Sequence, residues 1–415
     1  MATTLYRSLT RLAWPLAAAY TLWRAARDGG GRYLRQRLGA GLPSGPFPVW
    51  VHCASVGEVQ AAAPLVAALA RRLHGQVVVT TNTPTGAAAA DRELPAGAVH
   101  AYLPLDTPGA ARRFLHRLRP ACGLVLETEI WPNLFAACRE RGVPLAIVNG
   151  RLSPRTLTAP AWVRRAFGRA LAGVALCLAR SEADAERFRE LGVAADRVRV
   201  AGNLKYARQA PASEGTGGAP LARPFVLAAS TREGEEALVV AAWQAADTGG
   251  RLLVLAPRHP ERREAILRDL GNRQVAVRSR GEPVTAATEV YLVDTLGELA
   301  GFMGAAEVVV MGGSLVPKGG HNLLEPAALG RPVVTGPHTD NFAEEAAALR
   351  AAGGLVEVAD AAELGEALTE LLADAERRHQ LGEAARQAVA AQAGVLDTYI
   401  EALADWCPEL RGAQG

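Results

Sequence analysis

The sequence predicts two α/β domains, each a doubly wound parallel sheet with helices on both faces. Three observations carry this reading. At 415 residues the chain is longer than the roughly 250–300 residues at which one hydrophobic core stops growing. From residue 49 onward, short β-rich runs alternate with helical stretches, the rhythm of a covered parallel sheet. Residues 207–224, ARQAPASEGTGGAPLARP, interrupt that rhythm with Pro, Gly, Ser and Thr and read as a linker.

The first series runs VWVHCAS, GEVQAAAPLVAALARRL, VVVTTN, TGAAAADREL, VHAYLPL, GAARRFLHRL, CGLVLETEI, PNLFAACRERG and VPLAIVN. It continues through VALCLAR (174–180), the helix SEADAERFRELG and the strand RVRVAGN (197–203). The second series contains FVLAAS, RLLVLAP, QVAVRS, VYLVD, EVVVMGG, PVVTG and LVEVAD, and closes on an alanine-rich helical tail. The resulting division is 1–38, an N-terminal segment; 39–206, a first domain; 207–224, the linker; and 225–415, a second domain that includes the tail. Such folds bind ligands at the carboxyl ends of their strands, so the predicted site is a central cleft that both domains face.

Composition narrows the function. The chain is 49% hydrophobic and 21% charged, which excludes disordered, collagenous and polytopic membrane classes. A net charge of +3 and the lack of interleaved basic and aromatic residues argue against nucleic acid as a partner. Cys53, Cys122, Cys138, Cys177 and Cys407 are odd in number and far apart, which suggests reduced thiols and neither a disulfide framework nor a zinc site. No tight His, Asp or Cys spacing suggests a required metal, and no Walker A loop or dinucleotide fingerprint is present.

Arg7, Arg11, Arg24, Arg27, Arg32, Arg35 and Arg37 face one acid, Asp28, around the uncharged run Leu12 to Trp23. A run of twelve residues is short against the ~20 that span a bilayer. A helix lying in the interface fits better, with Trp14, Tyr20 and Trp23 at headgroup depth and arginines on anionic lipid. The competing readings are a secretory signal, weakened by the arginines that follow at once, and a helix packed on its own domain.

In VHCASVGEVQAAAPL a strand ends at Cys53 and SVGE turns into a helix. Gly57 would permit a tight turn and Glu58 would stand near a helix N-terminus. Glu58 reads either as a catalytic carboxylate or as a residue that stabilises the helix dipole. ETEIWPNL places Glu127 and Glu129 at another strand end, either as functional acids, one raised in pKa by Trp131, or as part of a cap around Asn133. Arg151 and Arg155 in NGRLSPR suit phosphate or carboxylate. In the second series, Ser230 and Thr231 open STREGEE, where an anion or a helix cap is expected, and Arg258 follows a strand in APRHPER. Gly312-Gly313 and Gly319-Gly320 flank Lys318, with His321, Asn322 and Glu325 at a helix start. Together they predict a phosphate cradle, with Glu325 on ribose hydroxyls.

These motifs, in this order over nearly the whole chain, resemble those of the Kdo (3-deoxy-D-manno-octulosonic acid) transferases of lipid A assembly, glycosyltransferase family 30: VHCASVGEV, ETEIWPN, NGRLSPR, GNLKY, STREGEE, APRHPER, VDTLGEL and GGSLVPKGGHNLLEPAALGRPVVTGPHTDNF. The resemblance implies a GT-B fold of two Rossmann-like domains and a membrane segment at the N-terminus. It implies inverting transfer of Kdo from CMP-Kdo to the 6′-hydroxyl of the lipid A precursor, on the cytoplasmic side of the inner membrane of a Gram-negative cell, without a cofactor. Glu58 falls on the family's base, and Ser55, Gly57, Glu127, Glu129, Arg151 and Arg155 on the acceptor side. Lys205, Ser230, Thr231, Pro257, Arg258, Gly297, Glu298, Leu299, Ser314, Lys318, Gly319, Gly320, His321, Asn322, Leu323, Leu324 and Glu325 form the expected CMP-Kdo site. Ala207 departs from relatives that continue GNLKY with Asp. The alternative is a GT-B transferase that uses a UDP-sugar on a lipid-linked acceptor.

Overall fold

The computed structural model describes residues 2–74, 76–208 and 221–411, without the side chains of 2–5, 7–9, 11 and 208. Residues 209–220 of the expected linker and the side chains of Arg7 and Arg11 lie outside the described residues. The chain forms two compact units, one of Met1–Arg208 with Gly394–Gly415 and one of Gln209–Ala393.

The first unit is built on β1 (Val49–His52), β2 (Val77–Thr81), β3 (Val99–Tyr102), β4 (Cys122–Leu126), β5 (Leu145–Gly150), β6 (Leu176–Ala179) and β7 (Val198–Val200). All pairs are parallel and the order is β3-β2-β1-β4-β5-β6-β7. β1, β2, β4, β5 and β6 are buried along their whole length, as near-continuous apolar runs require when both sheet faces are covered. Strand alternation sends Val49, Val51 and Cys53 into one core with the helix Val56–Arg72, and Trp50 into the other, edge-on to Phe114.

The second unit repeats the plan with β8 (Phe225–Thr231), β9 (Leu252–Pro257), β10 (Val275–Val277), β11 (Val290–Leu292), β12 (Val308–Met311), β13 (Val333–Thr335) and β14 (Leu355–Glu357). Its order, β10-β11-β9-β8-β12-β13-β14, is again all parallel. Winding reverses between β1 and β4 in the first sheet and between β8 and β12 in the second. These are the points where the loops at the carboxyl ends diverge and leave a crevice.

The C-terminal tail departs from the expected division. The helix Val395–Trp406 packs on the first sheet, where Tyr399 is fully buried and donates its hydroxyl to Gly202 O at 2.9 Å, with Ile400 and Leu403 beside it. Its apolar stripe shows that a sheet covers it, but carries no information about which of two similar sheets does so.

At the other terminus, the helix Ala2–Arg24 is followed by a π-turn, Ala25–Gly29, and a helix, Gly30–Arg37. The last of these is built into the first unit. Tyr33 meets Tyr102 edge-on at 4.9 Å, the Gln36 side chain accepts from Tyr102 N at 2.9 Å, and Arg37 donates to Leu103 O at 2.5 Å. Arg37 is therefore turned into the first unit, while Arg32, though exposed, donates to His100 O. Tyr6 pins the long helix by donating to Asp106 at 2.9 Å. Beyond Tyr6, Leu12, Leu16, Tyr20 and Trp23 recur along one helix face, each more than half exposed, Leu12 by 77%. Among the described residues, no helix is long and apolar enough to cross a membrane.

Because Tyr399 fills the first core completely, Tyr399→Ala should cost about 3–5 kcal/mol. Tyr399→Phe, which removes the hydroxyl's contacts with Gly202 O at 2.9 Å and Leu178 O at 3.4 Å, should cost about 1 kcal/mol. Urea denaturation curves of the three proteins check the ranking.

Candidate functional site

The turn after β1 begins at Cys53, whose N–H still pairs with Thr80 O. Ser55 is the N-cap of the helix Val56–Arg72, its hydroxyl accepting from Glu58 N at 3.3 Å. The Glu58 carboxylate closes the box, accepting from Ala54 N at 2.8 Å and from the Ser55 hydroxyl at 2.9 Å. A pure capping role would leave this carboxyl exposed and strongly acidic. Instead only 8% of Glu58 is exposed, and its pKa is pushed up to about 8, by burial first and then by the nearby Glu127 charge, against the lowering effect of the Ala54 N–H. The carboxyl thus sits close to the poise of a general base at neutral pH.

Gly57 does not serve the tight turn expected of it. It lies inside the helix, and a Cβ there would meet only the Ser55 hydroxyl, at 4.0 Å. What it provides is an open, exposed patch of backbone beside the buried Glu58.

Across the switch point, β4 ends at Leu126, so Glu127 and Glu129 leave the sheet in a turn and do not share a strand face. Glu127 holds a left-handed backbone with φ of 52°, a strain of about 1–3 kcal/mol that concentrates at functional sites. Glu129 accepts on Oε2 from Trp131 Nε1 at 3.1 Å and Asn82 Nδ2 at 3.3 Å. The cap of the helix Pro132–Glu140 comes from Asp106, which accepts from Asn133 N and Leu134 N, and not from Asn133. Arg151 and Arg155 are exposed beyond β5, with Arg151 O held by the Thr128 hydroxyl. The structure thus brings Ser55, Glu58, Glu127 and Glu129 together at the β1/β4 crevice. Lys205 also belongs to the first unit, in the 3-10 turn Leu204–Arg208.

On the second unit the expected phosphate cradle is only partly available. Gly313 N, Ser314 N and Leu315 N all donate to the buried carboxylate of Glu235, at 2.5, 2.9 and 2.9 Å. An internal anion therefore fills the first glycine pair. Ser314 is fully buried, its hydroxyl donating to Met311 O and accepting from Gly336 N. Thr231 is likewise enclosed, donating to Glu236. Both brace the crossover between β8 and β12, where a Cβ on Gly312 would strike Ser230 O at 2.5 Å. The helix expected near Ser230 begins only at Glu235.

What remains open is basic. Arg258 and Lys318 are exposed. Arg232 Nε donates to His321 Nε2 at 3.2 Å, and its Nη1 lies 2.8 Å from His259 Nε2. His321 is depressed to about 4, by burial first and then by Arg232 and Arg258. A histidine driven neutral by surrounding cations marks a positive potential ready for an anion. Gly319 and Gly320 take left-handed φ of 85° and 75° next to it. Asn322 donates to Glu325 at 3.1 Å, while Leu323 and Leu324 point into the core and offer only backbone to a ligand. Gly297 has φ of 89°. Glu298 is paired with Arg278 at 2.6 Å, and Leu299 starts the next helix. Pro257 closes β9. Sequence reasoning missed Arg232 and Glu235, although both stand in the STREGEE motif. It also missed His52 and Asn82, for which a polar residue at a strand's carboxyl end was the available signal.

Two parallel-sheet Rossmann-like units, with a buried acid at one switch point and a basic anion site at the other, define a GT-B glycosyltransferase. The fold matches the UDP-GlcNAc 2-epimerase of Neisseria meningitidis bound to UDP-GlcNAc, at TM-score 0.59 and 15% identity, covering 86% of this chain and 99% of that one. Staphylococcus aureus MnaA with UDP gives TM-score 0.57 at 15% identity, over 87% and 97%. Residues 32–208 match the family model for 3-deoxy-D-manno-octulosonic-acid transferase, and residues 283–388 that for glycosyl transferases group 1. The chain is 40% identical to the 3-deoxy-D-manno-octulosonic acid transferase of Bordetella pertussis over 96% of its length and 97% of the relative's. It is 34% identical to that of Haemophilus influenzae, again over 96% and 97%. The chain therefore belongs to the Kdo transferase family, whose reaction, the transfer of Kdo, is a step of lipopolysaccharide biosynthesis.

If Glu127 raises Glu58 by charge, Glu127→Gln should move the Glu58 titration downward from about 8. Infrared difference spectra against Glu58→Gln, which report the protonated carboxyl, check this: its band should vanish at lower pH in the Glu127→Gln protein.

Proposed function

We propose that this transferase moves Kdo from CMP-Kdo to the 6′-hydroxyl of the lipid A disaccharide precursor with inversion, Glu58 acting as the base. The observation that carries this reading is the buried Glu58 carboxyl, raised to about 8, beside the open backbone of Gly57 at the β1/β4 crevice. Glu58 takes the acceptor hydroxyl's proton as its oxygen bonds to C2 of Kdo. The bond from C2 to the CMP phosphate oxygen breaks, and CMP leaves with the electron pair. Arg258, Lys318 and the Arg232–His321 pair supply positive charge for the CMP phosphate and the Kdo carboxylate. Arg151 and Arg155 suit the phosphates of the acceptor, while Glu127 and Glu129 meet its hydroxyls.

Glu58→Gln keeps the shape of the capping box and removes the base, so turnover should fall about 10²–10⁴-fold while CMP binding, read by calorimetry, stays within twofold. In the wild type, kcat/KM should rise with pH through about 8 and level off above it, because only the ionised carboxyl accepts a proton. Mass spectrometry of products from CMP-Kdo and lipid A precursor tests the donor and acceptor. Consumption of a UDP-sugar in place of CMP-Kdo would overturn the assignment.

The exposed row Leu12, Leu16, Tyr20 and Trp23, with Arg27 over the Trp23 ring at 5.0 Å, supports an interfacial anchor on the anionic cytoplasmic face of the inner membrane. Leu12→Ser with Leu16→Ser should release the protein from vesicles containing anionic lipid in a sedimentation assay, with unchanged far-UV circular dichroism. Retention on the vesicles would remove the row from that role.

A further inference from the structure

His52 ends β1 one residue before the turn that carries Glu58, and it is completely buried. Its Nδ1 lies 3.0 Å from the Thr80 hydroxyl and 3.2 Å from Thr80 O. Its Nε2 has no hydrogen-bond partner, yet it stands 3.7 Å from Glu129 Oε2. A buried polar atom without a partner is costly and calls for an explanation.

The tautomer follows from the neighbours. The Thr80 hydroxyl oxygen already accepts from Trp50 Nε1 at 2.8 Å, so its one proton has two acceptors in reach, His52 Nδ1 at 3.0 Å and Val51 O at 3.4 Å. Nδ1 can accept from that hydroxyl or donate to Thr80 O at 3.2 Å, and the Glu129 carboxylate 3.7 Å from Nε2 decides for a ring proton on Nε2. The opposite tautomer would aim a lone pair at a carboxylate. We propose that Trp50, Thr80 and His52 form a buried relay that delivers the His52 Nε2–H to Glu129, making His52 a positioning residue for acceptor recognition.

Glu129 Oε2 would then receive three N–H groups, from His52, Trp131 and Asn82. Oε1 of this partly exposed side chain, which has no hydrogen-bond partner among the described residues, is then left for a sugar hydroxyl. The 3.7 Å separation closes when ligand contact turns the partly exposed carboxyl toward the ring, since such contacts are commonly long without substrate and tighten with it. This inference rests on the reading that Glu129 meets the acceptor.

The experiment compares the full-length wild type, His52→Ala, His52→Gln, Glu129→Gln and the His52→Ala/Glu129→Gln double variant, varying CMP-Kdo and lipid A precursor separately. His52→Ala should raise the acceptor KM roughly tenfold, the loss of one charge-assisted hydrogen bond, and leave the donor KM within twofold. His52→Gln, whose amide reaches the Nε2 position, should recover most of the loss. In the Glu129→Gln background, His52→Ala should add less than twofold, whereas multiplying effects or an equal shift in donor KM would overturn the relay. A long-range proton–nitrogen correlation spectrum of the wild type reads the contact without acceptor. It should show His52 as the Nε2–H tautomer, with a nitrogen resonance that moves in Glu129→Gln. An Nδ1–H tautomer refutes the proposal. If instead the tautomer and its shift appear while Glu129→Gln leaves the acceptor KM unchanged, the relay stands and the acceptor role of Glu129 falls.

Discussion

Parallel strands cannot be joined by tight turns, and every connection must cross over the sheet. The rest of this architecture follows from that constraint. A chain that starts in the middle of a sheet and winds outward first one way and then the other must separate neighbouring loops at the point of reversal. Here that happens between β1 and β4, and again between β8 and β12. The loops freed there carry Glu58, Glu127 and Glu129 in one unit, and the Glu235-filled amide nest next to the Arg232–His321 pair in the other.

Burial decides what those loops do chemically. Glu58 forms hydrogen bonds of a helix-capping kind, to Ala54 N and the Ser55 hydroxyl, and local geometry alone would leave it at that. Its displacement from the usual carboxylate range comes from being enclosed and from sharing the crevice with Glu127. On the second unit the opposite balance holds, because burial first and then the surrounding cations keep the His321 imidazole neutral. One crevice thus stores a reluctant anion, suited to taking a proton, and the other a surplus of positive charge, suited to holding phosphate and carboxylate.

The second glycine-rich segment shows how a motif can mislead about its own use. Gly312 and Gly313 look like a cradle for a bound phosphate, yet Gly312 N pairs with Ala229 O, Gly313 N serves Glu235, and Ser314 is locked between Met311 and Gly336. That carboxylate fixes the crossover loop, so that Gly319, Gly320 and His321 emerge in a defined place. Sequence spacing cannot separate an amide nest filled from within from one left for a ligand, because both need the same glycines.

Much of the fold and the positions of many residues of the candidate site were legible in the sequence. Short apolar runs alternating with helical stretches marked the strands and helices, because a sheet covered on both faces demands apolar residues along each whole strand, and the motif string from VHCASVGEV to GPHTDNF carried the family. The placement of Glu58, Glu129 and Arg258 at strand ends was visible for the same reason. What only the tertiary structure decided depends on contacts between distant segments. The last helix joins the first sheet through Tyr399, the pKa of Glu58 rises because the fold buries it and sets Glu127 across the switch point, and His52 aims an unpaired nitrogen at Glu129. No local pattern encodes such meetings, because burial and electrostatics depend on which residues come together in space and not on their order along the chain.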